Sequence, residues 1–129
     1  MTMVLILDSD ARVRASLTSA LEHSGYQVLR DVRGAAGLTL ALIHTPQVVL
    51  VGRDLVDMTG LTFAQRLRAL PAIPQPVLFF MDAASPHMID VGQEGVFAKP
   101  LDLAAVVAYL AQIVPPDASL PLRERMAGA

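Results

Sequence analysis

Five short apolar runs recur along the chain, at residues 4–7, 28–32, 48–51, 77–81 and 96–98, and they read as continuous stretches rather than as polar–apolar alternations. A strand with apolar side chains on both faces must be covered on both, which requires helices above and below a parallel sheet. The segments between the runs have helical spacing, so the chain reads as a βαβ series. The fold class expected is α/β, a doubly wound five-stranded parallel sheet between two helical layers.

The helices carry their own punctuation. Ser9 or Asp10 can cap a first helix that runs to His23, with Gly25 as a left-handed stop. A second spans about 35–44 and is ended by Thr45-Pro46. Thr59 can cap a third through Leu70, beyond which the proline-rich "PAIPQP" forbids continuation. Ser85-Pro86 opens a fourth that has room for about two turns before Gly92. Asp102 caps a fifth, 103–114. The expected division is a domain over 1–114 followed by a tail or linker over 115–129, "PPDASLPLRERMAGA", which shows no core pattern.

Composition narrows the function classes. At 129 residues, with 53% hydrophobic and 17% charged residues, the chain suits one folded domain with one sizeable core. The longest uncharged apolar stretch, 103–116, is too short to span a bilayer, and residues 3–7 lack the basic flank of a signal peptide, so the expected location is cytoplasmic, with no membrane partner. The chain has no cysteine, which excludes disulfides and thiolate chemistry. A net charge of -2 without a basic cluster argues against nucleic-acid binding by this domain. His23, His44 and His87 share no ligand spacing. "DSDARV" after the first strand offers no glycine-rich phosphate loop, no nucleophile–base pair is evident, and the reading is of a protein that is not an enzyme and carries no cofactor.

In an open parallel sheet, ligands gather outside the carboxyl ends of the strands. Those ends carry Asp8-Ser9-Asp10, Gly52-Arg53-Asp54, Met81-Asp82 and Lys99-Pro100, and Lys99 is the chain's one lysine among ten basic residues. With "VLILDSD", "PQVVLVGRDLVDMTG" and "FAKP" in this order and spacing, the chain resembles the receiver domain of bacterial two-component response regulators from Met3 to about Val114. The resemblance implies a flavodoxin-like sandwich, here with a shortened fourth helix. It also implies a site in which an aspartate at the end of the third strand takes up phosphate beside Mg²⁺.

Counting back from Gly60, and forward from Pro46, the phosphorylated aspartate falls on Gly52, which has no nucleophile to offer. The resemblance places Ser9 where the main metal-binding carboxylate belongs and Met81 where a Ser or Thr hydroxyl belongs. Val96 stands at the switch aromatic. Asp8 and Lys99 keep the family's residue types. The expectation is therefore a degenerate receiver site made of Asp8, Ser9, Gly52, Met81 and Lys99, with no metal and no phosphorylation.

Alternatives stay open at this point. Asp8, Asp10 and Asp54 can form an acidic cluster for a cation, with Asp54 as a displaced phosphoacceptor, or Asp10 can simply cap its helix. Bringing Asp54 into the site means slipping the strand two residues against its own apolar pattern. Lys99 needs a partner, and Asp8 is the first candidate for a latch, Asp54 the second. The leading function is a protein-interaction module in bacterial signalling that phosphate does not switch. The other is a cation- or ligand-binding domain at an Asp8/Asp54/Lys99 crevice with residual phosphorelay through Asp54. The fifth helix, "LAAVVAYLAQIV", carries no charge, so it calls for a second cover. A homodimer, or another protein partner, is expected there through Val107, Leu110, Ala111 and Val114, unless the tail folds over it.

Overall fold

The computed structural model describes residues 1–82 and 91–117. The elements are β1 (Met3–Leu7), α1 (Ala11–His23), β2 (Gln27–Asp31), α2 (Gly34–His44), β3 (Val48–Gly52), α3 (Gly60–Arg68), β4 (Val77–Asp82), β5 (Gly95–Ala98) and α4 (Leu103–Ile113). All strand pairs are parallel, in the order β2-β1-β3-β4-β5. The expected fourth helix at 85–92 falls largely on residues outside those described, and the expected fifth helix is α4.

Strand alternation divides the core into two layers. Leu5, Leu7, Val49, Val51, Leu78 and Phe80 face α2 and α3, where they meet Ala41, Phe63, Ala64 and Leu67. Val4, Ile6, Val48, Leu50, Phe79 and Met81 face α1 and α4, where they meet Leu17, Leu21, Val106 and Leu110. Burial of each such side chain stabilises by about 1.5–3 kcal/mol, which is why the fully buried positions of the three central strands are all apolar. The edge strands β2 and β5 are only half-buried.

The caps resolve the open choices. Asp10, not Ser9, caps α1: its Oδ1 accepts from the Arg12 and Val13 amides at 2.9 and 3.4 Å. Gly25 takes the left-handed conformation (φ 96°), and Thr59 and Asp102 accept from the Thr62 and Ala105 amides. Helix α3 stops at Arg68, short of the expected Leu70, because the residue before Pro71 is pushed out of the helical region. For the same reason α4 ends at Ile113, ahead of Pro115.

Residues 115–117, expected in the tail, are tied to the body. Thr2 donates its amide to the Pro116 carbonyl at 2.9 Å and its hydroxyl to that of Pro115 at 2.6 Å. The Tyr26 hydroxyl donates to the Val114 carbonyl at 2.8 Å, and burial pushes its pKa up to about 12, which keeps it a donor through the neutral range.

Two further anchors were not anticipated. The Arg68 guanidinium donates to the carbonyls of Val91, Gly92 and Pro76 and to the Gln75 side chain, joining the end of α3 to the approaches of β4 and β5. Arg33, at the head of α2, makes no side-chain cap. Asp57, from the β3–α3 loop, takes its place, accepting from Gly34 N at 2.7 Å and Ala35 N at 3.1 Å. Those hydrogen bonds hold the Asp57 carboxyl below its usual pKa. A carboxyl depressed in the folded state contributes stability that is present above its unfolded pKa, about 4, and is lost as pH falls through the folded value. Asp57→Asn should therefore lose less stability than the parent as pH falls below about 4. Thermal melts across that range check it, and parallel acid limbs would contradict it.

Candidate functional site

The alternation that builds the α1/α4 layer also builds the site. Ile6, Leu50 and Phe79 point into that layer, and two residues on, at the carboxyl ends of the strands, come Asp8, Gly52 and Met81. In register, Leu7 lies beside Val51 and Gly52 beside Met81. Phe97 of β5 pairs with Met81, and Lys99 follows it by two. Asp8, Gly52, Met81 and Lys99 thus meet at one corner because they share a strand parity.

Asp8 is the centre of this corner and is 1% exposed. Its Oδ2 accepts from Lys99 Nζ at 2.7 Å, and its Oδ1 from the Asp10 amide at 2.9 Å. Arg14 donates to the Asp8 carbonyl at 2.7 Å. The latch foreseen between Lys99 and Asp8 is present. A carboxylate so buried needs that cation, since an unpaired charge in such a place costs several kcal/mol (~3–5).

The same carboxylate lies against the bare α-carbon of Gly52. A β-carbon placed there would sit 2.6 Å from Asp8 Oδ2 and 2.8 Å from its Cγ. Any side chain at residue 52 must displace a group held at both oxygens. Gly60, the first residue of α3, packs just as closely on the Gly52 carbonyl, so a side chain there would strike backbone. Met81 is fully buried and extends the apolar layer up to the corner, with no donor to offer.

The structure does not assemble the acidic cluster considered from sequence. Asp10 is spent on the α1 cap. The side chain of Asp54 is 71% exposed and lies 3.9 Å from the Arg53 guanidinium, while its backbone makes an isolated antiparallel bridge with that of Thr59. Among the described residues no three carboxylate or imidazole groups come together as a metal cage. Ser9 is exposed.

The α4 surface also corrects the sequence reading. Leu110 is fully buried in the core, and Val107 and Val114 pack against the same cluster, so of the four named contacts only Ala111 is exposed. Residues 103, 107, 110 and 114 share one helical face, and it is the inward one. The outward face presents Ala104, Ala108 and Ala111, with Tyr109 (41% exposed) and Ile113 (38%). Tyr109 stands edge-on to the stacked Phe79 and Phe97 rings, at centroid distances of 5.8 and 6.1 Å.

A doubly wound sheet in this order, with its crevice at the carboxyl ends of the strands, is of the flavodoxin-like class. Residues 4–111 match the family described as "Response regulator receiver domain", and the chain belongs to it. It is 31% identical over 112 residues to the transcriptional regulatory protein KdpE of Mycobacterium tuberculosis, covering 85% of this chain and 50% of that protein. To the transcriptional regulatory protein PrrA of the same organism it is 30% identical over 108 residues, covering 81% and 46%. The chain spans about half the length of these curated relatives. Its fold matches chemotaxis protein CheY4 of Vibrio cholerae with a TM-score of 0.80 at 20% identity, covering 88% of this chain and 99% of that one. A two-component response regulator from Clostridium difficile matches with a TM-score of 0.80 at 18% identity, covering 88% and 96%. No helix among the described residues is long and apolar enough to cross a membrane.

Proposed function

We propose that this domain is a phosphorylation-independent receiver, a pseudo-receiver, which acts as a protein-interaction module in bacterial signalling and not as an enzyme. The observation that carries the reading is the buried Asp8 carboxylate packed on Gly52 and latched to Lys99. In a receiver that takes up phosphate, a carboxylate at the end of the third strand is the nucleophile and a dication bridges it to the phosphoryl group. Here the third strand ends without a nucleophile, and the acid beside it is closed to a donor. The lysine that would meet a phosphoryl oxygen meets Asp8 instead, which holds the corner in one state without Mg²⁺.

A surface that phosphate does not switch is presented permanently. The charge-free outer face of α4, with Tyr109 and Ile113 exposed, supports a protein partner there, in the first instance a second copy of this chain. Light scattering at micromolar concentration should report a dimer whose mass is the same with and without acetyl phosphate and Mg²⁺. Ala108→Glu or Ile113→Glu should convert it to a folded monomer, whereas Leu110→Glu should unfold it by putting a charge in the core. A parent monomer in all conditions would remove the dimer, and a mass that changes on adding phosphodonor would remove phosphorylation independence.

A further inference from the structure

β2 is an edge strand, bonded among the described strands to β1 alone. Gln27 donates its amide to the Thr2 carbonyl and Asp31 accepts from the Asp8 amide, so residues 27, 29 and 31 face β1. Val28 and Arg30 therefore turn their amides and carbonyls to the open side. Beyond them the edge closes: the Tyr26 amide donates to Leu21, the Val32 amide to Asp31 Oδ1, and the Val32 carbonyl accepts from Val56. Two donors and two acceptors are left for a further strand.

That set is self-complementary. Two copies of β2 laid antiparallel about a two-fold axis at Leu29 pair Val28 of each with Arg30 of the other, and all four groups of each edge are satisfied. An axis at Val28 or at Arg30 sets free groups against Tyr26 or Val32, whose amides are already engaged, and the second also opposes two arginines.

The same axis matches the helix beside the strand. Arg14, Ala15, Thr18, Ser19 and Glu22 of α1 share a groove with Arg30 of β2. Among the described residues Glu22 and Arg30 form no ion pair, and Arg14 gives Nη1 to the Asp8 carbonyl. Arg14 and Glu22 stand equally far on either side of Thr18, so an antiparallel copy sets Glu22 against the end that holds Arg14 and Arg30. Ala15 and Ser19, exposed between them, are small enough for two helices to approach. Over the other face of β2, α2 has no charge from 34 to 43, so no ion is desolvated there.

We infer that β2 is a self-association edge, at which a second copy of this chain pairs antiparallel and joins two five-stranded sheets into one, with Glu22 of each copy between Arg14 and Arg30 of the other. So short a strand pair belongs to the weak class of interfaces, under about 1,200 Å², and closes at a concentration on the order of 0.1 mM. β2 is the edge opposite β5, whereas Tyr109 of α4 stands on the rings of Phe79 and Phe97 in β4 and β5. The inference is therefore independent of the α4 surface, and one copy can use both.

Sedimentation of the 129-residue chain and of Ala108→Glu, from about 10 µM to about 1 mM, separates the two surfaces. The mass at the lower end reports on α4, and in both proteins it should nearly double towards the upper end. Hydrogen exchange at the Val28 and Arg30 amides should slow severalfold over the same range. Arg30→Pro removes a donor that faces solvent in the single copy, and it should weaken association at least tenfold while circular dichroism stays that of the parent. Glu22→Arg and Arg30→Glu should each do the same alone, and mixing the two should restore association because the reversed charges then meet. A mass unchanged up to the highest concentration, exchange at both amides indifferent to concentration, doubling retained in Arg30→Pro, or a mixture no tighter than its components would each overturn the assignment.

Discussion

Gly52→Asp should cost about 3 kcal/mol of folding stability, and the cost should depend on Asp8. The new β-carbon falls 2.6 Å from Asp8 Oδ2, and overpacking of this kind costs about 1–3 kcal/mol. Asp8 cannot swing aside freely, because Lys99 and the Asp10 amide hold its two oxygens. The second carboxylate adds like-charge repulsion of about 4 kcal/mol for a pair ~4 Å apart at an effective dielectric of ~20, part of which Lys99 offsets. Gly52→Ala isolates the steric part. A cycle of Gly52→Ala with Asp8→Ala should show a coupling of about 0.5–3 kcal/mol in denaturant melts, and additive losses would mean that Asp8 does not press on residue 52. Gly52→Asp combined with Ser9→Asp should regain several degrees of melting temperature in millimolar Mg²⁺, since a dication offsets clustered carboxylates. A double variant as stable in chelator as the parent would contradict the crowding.

The second large effect is an asymmetry across the latch. Lys99→Met leaves Asp8 charged, 1% exposed and supported by one amide, so it should cost about 3–5 kcal/mol. Asp8→Asn leaves a lysine whose side chain is 27% exposed and can turn to solvent, so its cost should stay at the lower end of about 1.5–3 kcal/mol, the scale of a lost charged hydrogen bond. Urea melts of the two variants decide between this and a symmetric pair, which would give equal losses.

How far such a corner can be read from sequence depends on the range of the interactions involved. The strands and most helix ends were legible because their signals are local: continuous apolar runs at 4–7 and 48–51, Asp10, Thr59 and Asp102 at caps, Gly25 at a positive φ. The site was legible because strand parity and order bring Asp8, Gly52, Met81 and Lys99 together once the sheet is parallel. The orientation of α4 was not, since a helix without charge gives no polar stripe to mark its outer side, and Leu110, expected on the surface, is fully buried. Asp57 at α2, Arg68 between α3 and the β4 and β5 approaches, and Thr2 on residues 115–116 act across 23, 24 and 113 positions of chain. One local trace existed: α2 opens on Arg33-Gly34 without a capping side chain, which calls for an acceptor from elsewhere.

Intact-mass spectrometry after incubation with acetyl phosphate and Mg²⁺ puts the proposed chemistry to the test in one step. With Gly52 bare and Asp8 closed by Lys99, the mass should be that of the unmodified chain at every time point. Addition of one phosphoryl group, labile to hydroxylamine and mapped to Asp54 or Asp8, would contradict it.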